Sequence, residues 1–419
     1  MNGTLPETYS RKRASLGMIA LNQMHYTNPY VVAAWSFFFP GFGYIILGEY
    51  IQGWMLFLWE LLVNVRANFN TAIVLAFTGK FHESADVLAA HGDYWILLYA
   101  AVYVYSVLGS YRLAVEANNM FTLAYEENAP IEVFKINAFQ FNFFNKKDPW
   151  MGAFWSLLMP GLGEMYLRRF TSALFSLGWW MAIVHFSHVL PAMVYTFTGH
   201  FRQAVSVLNT EWLLYLPSMY GFAFYNAYVS IVEQDKVFEQ QQANYLQQQY
   251  QSPSFPIHLH AEEADAMRIV STFDHSLYLE KAIVHIEKLG IQKTQMFAVP
   301  IKKRKQMPGM SLDSLHHSDG KSFFDVPSLL AAFFCALGTI YGFALYWGPV
   351  LWGMIGFAGG FLLGAIIKLL TMKPWSNHPG TRPKTEVVLM IDCKKEEAAQ
   401  LEQILWSNQA FGVAKVGTD

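Results

Sequence analysis

Three side chains combine a titratable group with a place inside an apolar segment. Glu60 lies at the centre of the apolar stretch Trp54–Val65, where ionisable residues are rare and often functional. His185 and His188 lie near the corresponding place in a second apolar stretch and are candidate partners for that carboxylate. We therefore predict an intramembrane polar site formed by these three residues. The alternative is a hydrogen-bonded packing glutamate and two histidines at the lipid–water interface.

Two histidine-containing stretches have spacings that a metal site can use. In His258-x-His260-x-Glu262, alternate residues of an extended chain point the same way, and His316–Asp319 forms a second polar group. The first stretch lies in a linker without a clear fourth ligand, and the second lies in a polar loop before an apolar segment. We predict no metal site and no other cofactor.

Motifs of known enzyme classes are absent from the sequence. It contains no nucleophile elbow, phosphate loop, metalloprotease helix or dinucleotide-binding fingerprint. Cys335 and Cys393 are isolated thiols that form no disulfide framework or metal cluster. The net charge is -2, from 29 basic and 31 acidic residues, so no basic field attracts nucleic acid. We therefore predict a protein that is not an enzyme and does not bind nucleic acid.

The composition is that of a membrane protein. Hydrophobic residues make up 53% of the 419 residues and charged residues 14%, whereas a soluble domain carries about 25% charged residues. Aromatic residues reach 16%, which suits the lipid–water interface. The first 27 residues contain no apolar core with a cleavage site, so we predict no removable signal peptide.

An internal repeat organises the first half of the chain. The pattern Trp-Ser…Pro-Gly-x-Gly occurs at residues 35–43 and again 120 residues later, at 155–163. Phe-Thr-Gly at 77–79 recurs at 197–199, and after a three-residue deletion the offset becomes 117. Rare residue types keep register over about 90 positions, which predicts a duplicated module.

Each copy opens with an apolar segment, Tyr30–Leu47 or Trp150–Leu167, that is interrupted by Pro-Gly-x-Gly. A proline inside a helix costs about 3 kcal/mol and frees a carbonyl that lipid cannot satisfy. The pattern fits a kinked span or a re-entrant hairpin formed with the second apolar segment. We expect a structural role for these residues, with a pathway-lining role as the alternative. The predicted helix breaks are Pro40, Gly41, Gly43, Pro160, Gly161 and Gly163.

The C-terminal part has a soluble pattern that is interrupted by two apolar segments. Strand, helix and strand patterns occur both before and after the hairpin 326–371, so the two halves can close into one ferredoxin-like sheet. Gly356, Gly360 and Gly364 lie on one helix face and predict a close helix contact, within the chain or between subunits.

A basic run precedes the C-terminal hairpin. Each basic residue near an anionic membrane surface contributes about 1 kcal/mol, so we predict contacts with lipid headgroups. The alternative is ordinary charge that sets the orientation of the chain, and both roles can hold. The run consists of Lys302, Lys303, Arg304 and Lys305.

The predicted fold is a mainly α-helical polytopic membrane protein with about eight spans and a small cytoplasmic α+β domain. Its regions are an N-terminal cytoplasmic tail (1–27), membrane repeat 1 (28–118), a connecting loop (119–147), membrane repeat 2 (148–236), a Gln-rich helix extension and linker (237–266), the first half of the ferredoxin-like domain (267–325), the transmembrane hairpin (326–371) and the second half of that domain (372–419).

The orientation follows from the distribution of basic residues. With three crossings per copy, the clusters Arg11–Arg13, Arg168-Arg169, Lys302–Lys305 and Lys373 all fall on the cytoplasmic side. Lys146 and its neighbours would then lie outside, against the rule. We predict a multi-pass protein of the bacterial cell membrane with both termini in the cytoplasm.

Two parts of the sequence resemble known families. Pro160–Tyr166, together with Pro40–Gly43, resembles the Pro-Gly-x-Gly-x-x-Tyr motif of small bacterial membrane proteins related to TM2-type domains, in which it joins two close-packed helices. Residues 267–419 look like the βαβ domain of bacterial general-stress-type proteins. Through Met310–Gly320 and the Gly-rich hairpin they are also similar to a small membrane subunit of the alternative quinol-oxidising complex. These resemblances imply a fold and no reaction.

Two functions fit these features. The first is a non-enzymatic membrane component for anchoring, assembly or regulation. Besides the lipid bilayer, its partner would be a protein or a second copy, bound through the hairpin or the ferredoxin-like domain. The second is a transporter or channel with a pathway at the repeat interface, lined by Glu60, the two histidines and the helix breaks. Transport predicts a polar cavity where these residues converge, and anchoring predicts an interior filled by aromatic rings.

Overall fold

The computed structural model describes residues 14–16, 21–91, 95–126, 134–136, 141–143, 145–253, 255, 266–301, 322–371 and 386–417. The chain forms two compact units, and most of the described residues are helical. The first, which we call the helical unit, comprises Met1–Asn142, Asp148–Glu233 and Met310–Lys373. The second, the sheet unit, comprises Phe143–Lys147, Gln234–Gly309 and Pro374–Asp419.

The N-terminal elements are a two-stranded hairpin and six helices. They are β1 (Ala14–Leu16), β2 (Leu21–Gln23), α1 (Pro29–Phe38), α2 (Phe42–Ile46), α3 (Tyr50–Ala67), α4 (Phe69–Phe77), α5 (Phe81–His91) and α6 (Trp95–Glu126). A similar succession begins 120 residues later. It consists of β3 (Phe134–Ile136), β4 (Phe141–Phe143), α7 (Pro149–Leu158), α8 (Leu162–Tyr166), α9 (Phe170–Ser187), α10 (Val189–Phe197), α11 (Phe201–Val207), α12 (Thr210–Leu213) and α13 (Tyr215–Tyr250).

Two long helices, α15 (Asp325–Gly342) and α16 (Gly348–Thr371), complete the helical unit. In the part of the chain that the structure describes, four helices are long and apolar enough to cross a membrane: Leu98–Ala124 within α6, together with α9, α15 and α16. The eight spans expected from the sequence are therefore not all represented among the described helices. The expected first span is divided, because α1 has 10 residues and α2 has 5. At 1.5 Å per residue, α1 reaches about 15 Å, half of an apolar bilayer core.

The Pro-Gly-x-Gly sequence reverses the chain between α1 and α2. Gly41 and Gly161 have φ angles of 100° and 102°, in the left-handed region that favours glycine. A Cβ atom at Gly41 would also overlap with the carbonyl oxygen of Gly53 on α3. Both the backbone conformation and the close approach of α3 therefore require glycine at the first position after the proline.

Contacts with α6 show the direction of each helix. The rings of Tyr30 and Tyr111 lie 5.3 Å apart at the start of α1, and those of Phe37 and Tyr103 lie 5.8 Å apart near its end. Helix α1 therefore runs antiparallel to α6. After the turn the chain goes back, because the side-chain amide of Asn22, which precedes α1, lies 3.4 Å from the carbonyl oxygen of Gly48, which follows α2. The kinked span expected as one alternative is thus not formed. The hairpin is made by α1 and α2. Its returning half is α2 and not the second apolar segment, which lies in α3.

The two ends of each repeat region are hydrogen-bonded to each other. The Thr27 amide donates to the Asn118 side-chain oxygen at 2.9 Å, and the Asn118 side-chain amide donates to the Thr27 carbonyl at 2.8 Å. At the corresponding positions of the second region, the Lys147 amide donates to the Asp235 carboxylate at 3.0 Å. Each region therefore begins and ends at the same place.

Helices α15 and α16 pack closely along a row of glycines. Cβ atoms at Gly356 and Gly360 would overlap with the carbonyl oxygens of Phe334 and Leu330 on α15, and one at Gly364 would lie 2.5 Å from the Pro327 Cα atom. Of the two contacts expected for these glycines, the one within the chain is present. Small residues allow backbones to approach and gain van der Waals contact where no hydrophobic effect drives helices together.

The sheet unit contains four antiparallel strands in the order β6-β7-β5-β8. Its elements are β5 (Ala266–Phe273), α14 (Leu277–Lys288), β6 (Met296–Pro300), β7 (Val387–Lys394), α17 (Ala398–Ser407) and β8 (Gly412–Gly417). Alternate strand residues such as Ile269 and Leu389 are fully buried against apolar side chains of α14 and α17. The strand, helix and strand patterns predicted before and after the hairpin correspond to these elements.

The Gln-rich end of α13 belongs to the core of the sheet unit. We expected this stretch to extend into water, but Leu246 and Tyr250 are buried in the same apolar cluster as the sheet. The side-chain amide of Gln242 donates to the Ser276 carbonyl at 2.9 Å and to the Glu280 carboxylate at 2.7 Å. The glutamines therefore anchor α13 to α14, because an amide can satisfy polar groups at a partly buried helix contact.

Lys146 connects three segments of the sheet unit. Its ammonium lies 3.1 Å from the Glu239 carboxylate and 3.3 Å from the Glu386 carboxylate. Burial lowers the pKa of Lys146, but the two carboxylates outweigh that effect and hold the pKa above its usual range. The lysine therefore stays charged and links the chain before α7 to α13 and to the start of β7.

Replacement of Gly360 by alanine should destabilise the hairpin, because the new Cβ atom would overlap with the Leu330 carbonyl. Overpacking of this kind costs about 1–3 kcal/mol. The matched control is Gly359→Ala on the same helix, where nothing lies within 4 Å of the added atom. Thermal unfolding in detergent should show a lower Tm for Gly360→Ala alone. Equal Tm values for both variants would mean that the two helices are not in close contact.

Candidate functional site

Glu60 lies on the buried face of α3 and is 5% exposed. Asn64 follows it by four residues, which places both side chains on the same helix face. The Asn64 side-chain amide donates to the Glu60 carboxylate at 3.1 Å, and the Tyr99 hydroxyl on α6 is also hydrogen-bonded to that carboxylate. Glu60 is therefore a hydrogen-bonded side chain inside the helical unit.

The hydrogen bonds continue from Asn64 to α4. Asn68 ends α3 with a φ of 50°, and α4 starts at the next residue. This sharp turn lets the Asn70 amide donate to the Asn64 side-chain oxygen at 3.2 Å. The Asn70 side-chain amide in turn donates to the backbone carbonyl of Glu211 at 2.9 Å, so the chain of hydrogen bonds reaches α12.

Glu211 caps the N-terminus of α4 from the second repeat region. One carboxylate oxygen accepts the Thr71 amide at 2.8 Å and the Thr71 hydroxyl at 2.9 Å, and the other accepts the Asn70 amide at 3.4 Å. Negative charge at a helix N-terminus is favourable because the first N–H groups have no partner within the helix. Glu60 and Glu211 thus belong to one buried network, which joins the two repeat regions.

The structure does not bring the predicted histidines to Glu60. His185 and His188 are both exposed, and His188 ends α9 with a φ of 54°. Trp180 occupies the place that corresponds to Glu60, and its indole N–H donates to the Tyr220 hydroxyl at 3.0 Å. The expected partnership is not formed, because both histidine side chains are exposed while Glu60 is buried and hydrogen-bonded to Asn64.

A second buried carboxylate, Glu164, lies on α8 and is 5% exposed. It accepts the Ser176 hydroxyl at 2.8 Å and the Asn226 side-chain amide at 3.1 Å. Arg169 is also buried, and its guanidinium donates to the Ser230 hydroxyl at 3.0 Å. The second repeat region therefore has its own polar cluster, at a place where the first has none of these side chains.

At the corresponding position, the first region has a large uncharged side chain instead of a carboxylate. Tyr44 replaces Glu164, and its hydroxyl occupies the space that a side chain at Gly109 would need. Asn226 stands where the first region has Gly109. Large and small residues are thus exchanged across the same helix contact, so both regions remain closely packed.

A cavity of about 20 Å³ lies between the two repeat regions, which is room for about one water molecule. Polar side chains on its wall come from Glu164, Ser172 and Ser176, and aromatic ones from Phe42, Trp54 and Phe222. Of the predicted helix breaks, Pro160 also lines it. Glu60 does not, so the predicted site residues do not converge on this cavity.

The other predicted helix breaks lie at the two chain reversals. Pro40 and Gly41 form the turn between α1 and α2, and the Gly41 amide donates to the Ser106 hydroxyl at 3.1 Å. Gly43 and Gly163 follow on the short helices, where a Cβ atom would overlap with the hydroxyls of Ser36 and Ser156 respectively. At the first of these turns a backbone N–H group is hydrogen-bonded to a serine hydroxyl, and at both the glycines leave room for the closely packed neighbouring side chains.

The predicted headgroup cluster Lys302–Lys305 lies outside the described residues. The stretch His258–Glu262 and the group His316–Asp319, at which no metal site was predicted, lie outside them as well. Within the described part of the chain, no group of three or more His, Cys, Asp or Glu side chains is placed to hold a metal ion.

Comparison with known proteins adds no family to this description. No protein-family model matches the sequence, and no similar curated protein or solved structure was found. The function must therefore be argued from the residues and their geometry.

Sequence reasoning missed Glu211, Asn70 and Tyr215. Glu211 lies directly before the start of the aromatic stretch 212–228 and was not among the predicted site residues. One signal could have found it: Asn209 is a helix N-cap residue by type, and its side chain does accept the Trp212 amide at 3.3 Å. A helix start at that place would have put Glu211 in the first turn of a buried helix.

Replacement of Glu211 by alanine should destabilise the helical unit by about 2–4 kcal/mol, because buried donors of Asn70 and Thr71 lose their acceptor. Glu116→Ala is the control, since Glu116 is exposed on α6 and its loss should change the stability by less than about 0.5 kcal/mol. Thermal unfolding in detergent checks both variants. An unchanged Tm for Glu211→Ala would show that the network does not hold the two regions together.

Proposed function

We propose that the chain is a non-enzymatic integral membrane protein that works as a membrane-anchored assembly, scaffold or regulatory component. The observation that carries the proposal is the filling of the contact between the two repeat regions by aromatic rings. Phe42 stacks on Phe222 with ring centroids 4.0 Å apart, and Trp54 stacks on Phe175 at 4.6 Å. A pathway needs continuous polar space, whereas the cavity at this contact holds about one water molecule.

A transporter or channel is the second candidate. The observation in its favour is the Glu164 carboxylate on the wall of the cavity, beside the chain reversal at Pro160. Repeats with broken helices often place a substrate or ion site between them. In this candidate the aromatic rings would have to move apart to open a path.

We also propose six membrane crossings in place of eight. Because the ends of each repeat region are hydrogen-bonded, each region crosses an even number of times. The hairpins α1–α2 and α7–α8 would be re-entrant. The candidate spans α6 and α9 would each cross beside a less apolar helix of the same region, α3 and α13 respectively. The hairpin α15–α16 adds two crossings, because the Ile301 amide before it donates to the Glu386 carbonyl after it at 2.8 Å.

The distribution of charge supports this count. With both termini in the cytoplasm, every main basic cluster lies on the cytoplasmic side, as the positive-inside rule prefers. Lys146 and Lys147, which contradicted the rule in an eight-span arrangement, belong to the sheet unit and now lie on that side as well. Arg168 and Arg169 follow a re-entrant hairpin and return to the same side.

The sheet unit would be the working part of a scaffold. Two strand–helix–strand halves with the strand order β6-β7-β5-β8 support the ferredoxin-like domain expected from the sequence. Such a domain of a bacterial membrane protein would bind a protein partner or a second copy in the cytoplasm, while the helical unit fixes it at the membrane.

The six-crossing arrangement predicts which side of the membrane each loop occupies. In a chain without Cys335 and Cys393, Lys80→Cys should react with a membrane-impermeant thiol reagent added to intact cells. Glu49→Cys should react only after permeabilisation, because the re-entrant hairpin returns it to the cytoplasm. Both side chains are exposed. Lys293→Cys in the sheet unit is the cytoplasmic control. Three crossings per repeat would give the reverse pattern for Lys80 and Glu49.

The scaffold function predicts that proteoliposomes containing the purified chain conduct protons and alkali ions no faster than protein-free liposomes. The chain purified from its native membrane should instead carry a stoichiometric protein partner or a second copy. Flux through the wild type that is lost in Glu164→Gln, with an unchanged Tm, would overturn the scaffold proposal and support a transporter.

A further inference from the structure

Two buried carboxylates share one network in the helical unit. Glu60 and Glu211 are each 5% exposed, and the hydrogen bonds of Asn64 and Asn70 connect them. Among the described residues, no basic side chain forms an ion pair with either one. Two negative charges in a low-dielectric interior repel each other strongly, so at most one of these carboxylates carries its charge without a counter-ion.

Glu211 has the environment of the charged partner. It accepts hydrogen bonds from the Asn70 amide, the Thr71 amide and the Thr71 hydroxyl, and an ionised carboxylate is an acceptor only. These donors include the first N–H groups of the nine-residue helix α4, whose partial positive charge favours an anion. The charge of the network therefore belongs at Glu211.

Glu60 has the environment of the neutral partner. It lies within α3, away from any helix N-terminus, and its described donors are the Asn64 side-chain amide and the Tyr99 hydroxyl. Neither of these donors carries a positive charge. A bound proton removes the repulsion from Glu211 and gives the Glu60 side chain an O–H group that can donate.

Tyr215 supplies an independent observation. It is the first residue of α13 and is 3% exposed, and its buried hydroxyl has no hydrogen-bond partner in the described part of the chain. This hydroxyl interacts electrostatically with both Glu60 and Glu211. A buried hydroxyl without a partner is unfavourable, and a second negative charge near its oxygen would make it more so.

We propose that Glu60 binds an exchangeable proton. While this proton is bound, the network carries a single negative charge, at Glu211. Loss of this proton places a second charge in the network and weakens the cap that Glu211 provides for α4. The proposal goes beyond the scaffold function and does not depend on it. The groups that face Glu60 are Asn64 on α3, Tyr99 and Tyr103 on α6, Glu211 on α12 and Tyr215 on α13.

The test uses the full chain in lipid nanodiscs and compares the wild type with Glu60→Gln. Glutamine has the shape of the protonated side chain and keeps one donor and one acceptor but cannot titrate. Difference infrared spectroscopy between acid and alkaline buffer should show a carboxylic-acid carbonyl band in the wild type that is missing from Glu60→Gln. Glu211→Gln is the matched comparison: it removes the charge that repels a second one, so its acid band should disappear at a lower pH than in the wild type, and its Tm should be lower at every pH.

Hydrogen exchange provides a second measurement. The amides of α4 should exchange about ten times faster in the wild type when the pH rises enough to remove the proton, after correction for the intrinsic effect of pH. In Glu60→Gln this extra acceleration should be absent. If Glu60→Gln does not fold, the wild type alone still tests the proposal, because α4 exchange that shows no such acceleration would contradict it.

Three outcomes would overturn the proposal. One is a carboxylic-acid band that is unchanged in Glu60→Gln. Another is the same pH dependence of α4 exchange in both chains. The third is a wild-type Tm that rises with sodium or lithium, compared with choline at equal ionic strength, and does not change with pH, which would identify a site for an alkali cation.

Discussion

The helical unit depends on one constraint: a backbone turn in an apolar interior must have its polar groups satisfied by protein. The turn after α1 meets this constraint because the Gly41 amide donates to the Ser106 hydroxyl and because Gly41 adopts a left-handed conformation. The turn is covered by α3, which approaches at Gly53 so closely that neither glycine tolerates a side chain. The reversal of the chain, the position of α3 and the tight contact with α6 all follow from this turn.

Patterns of residue type predicted the helix breaks and the strands better than they predicted which side chains contact each other. Glycine and proline specify backbone geometry locally, so the sequence placed the breaks at Pro40 and Pro160, and alternation of apolar residues placed the strands of the sheet unit. The direction after each break could not be read from the sequence, because it depends on contacts with α6 that lie about 65 residues away along the chain. The Gln-rich end of α13 was misjudged for a related reason: polar composition indicates water, whereas Gln242 uses its polarity to bind α14.

The two repeat regions keep their backbones alike and differ in the side chains that fill them. Where one has Tyr44 against Gly109, the other has Glu164 against Asn226, and where one has Glu60, the other has Trp180. From the sequence, the candidate partners of Glu60 were His185 and His188, in the second region. Glu60 is hydrogen-bonded to Asn64 and Tyr99 of its own region. Glu211 joins the network from the other region, close to the three-residue deletion that changes the register between the repeats.

The sheet unit is divided by α15 and α16, and this division has a consequence for synthesis of the protein. Strands β5 and β6 are made first, but they are not neighbours, because β7 pairs with both of them. The central strand therefore leaves the ribosome only after both hairpin helices have been made. The early half of the domain therefore lacks its central strand until both hairpin helices have been synthesised, so the sheet cannot form while only its first half has been made.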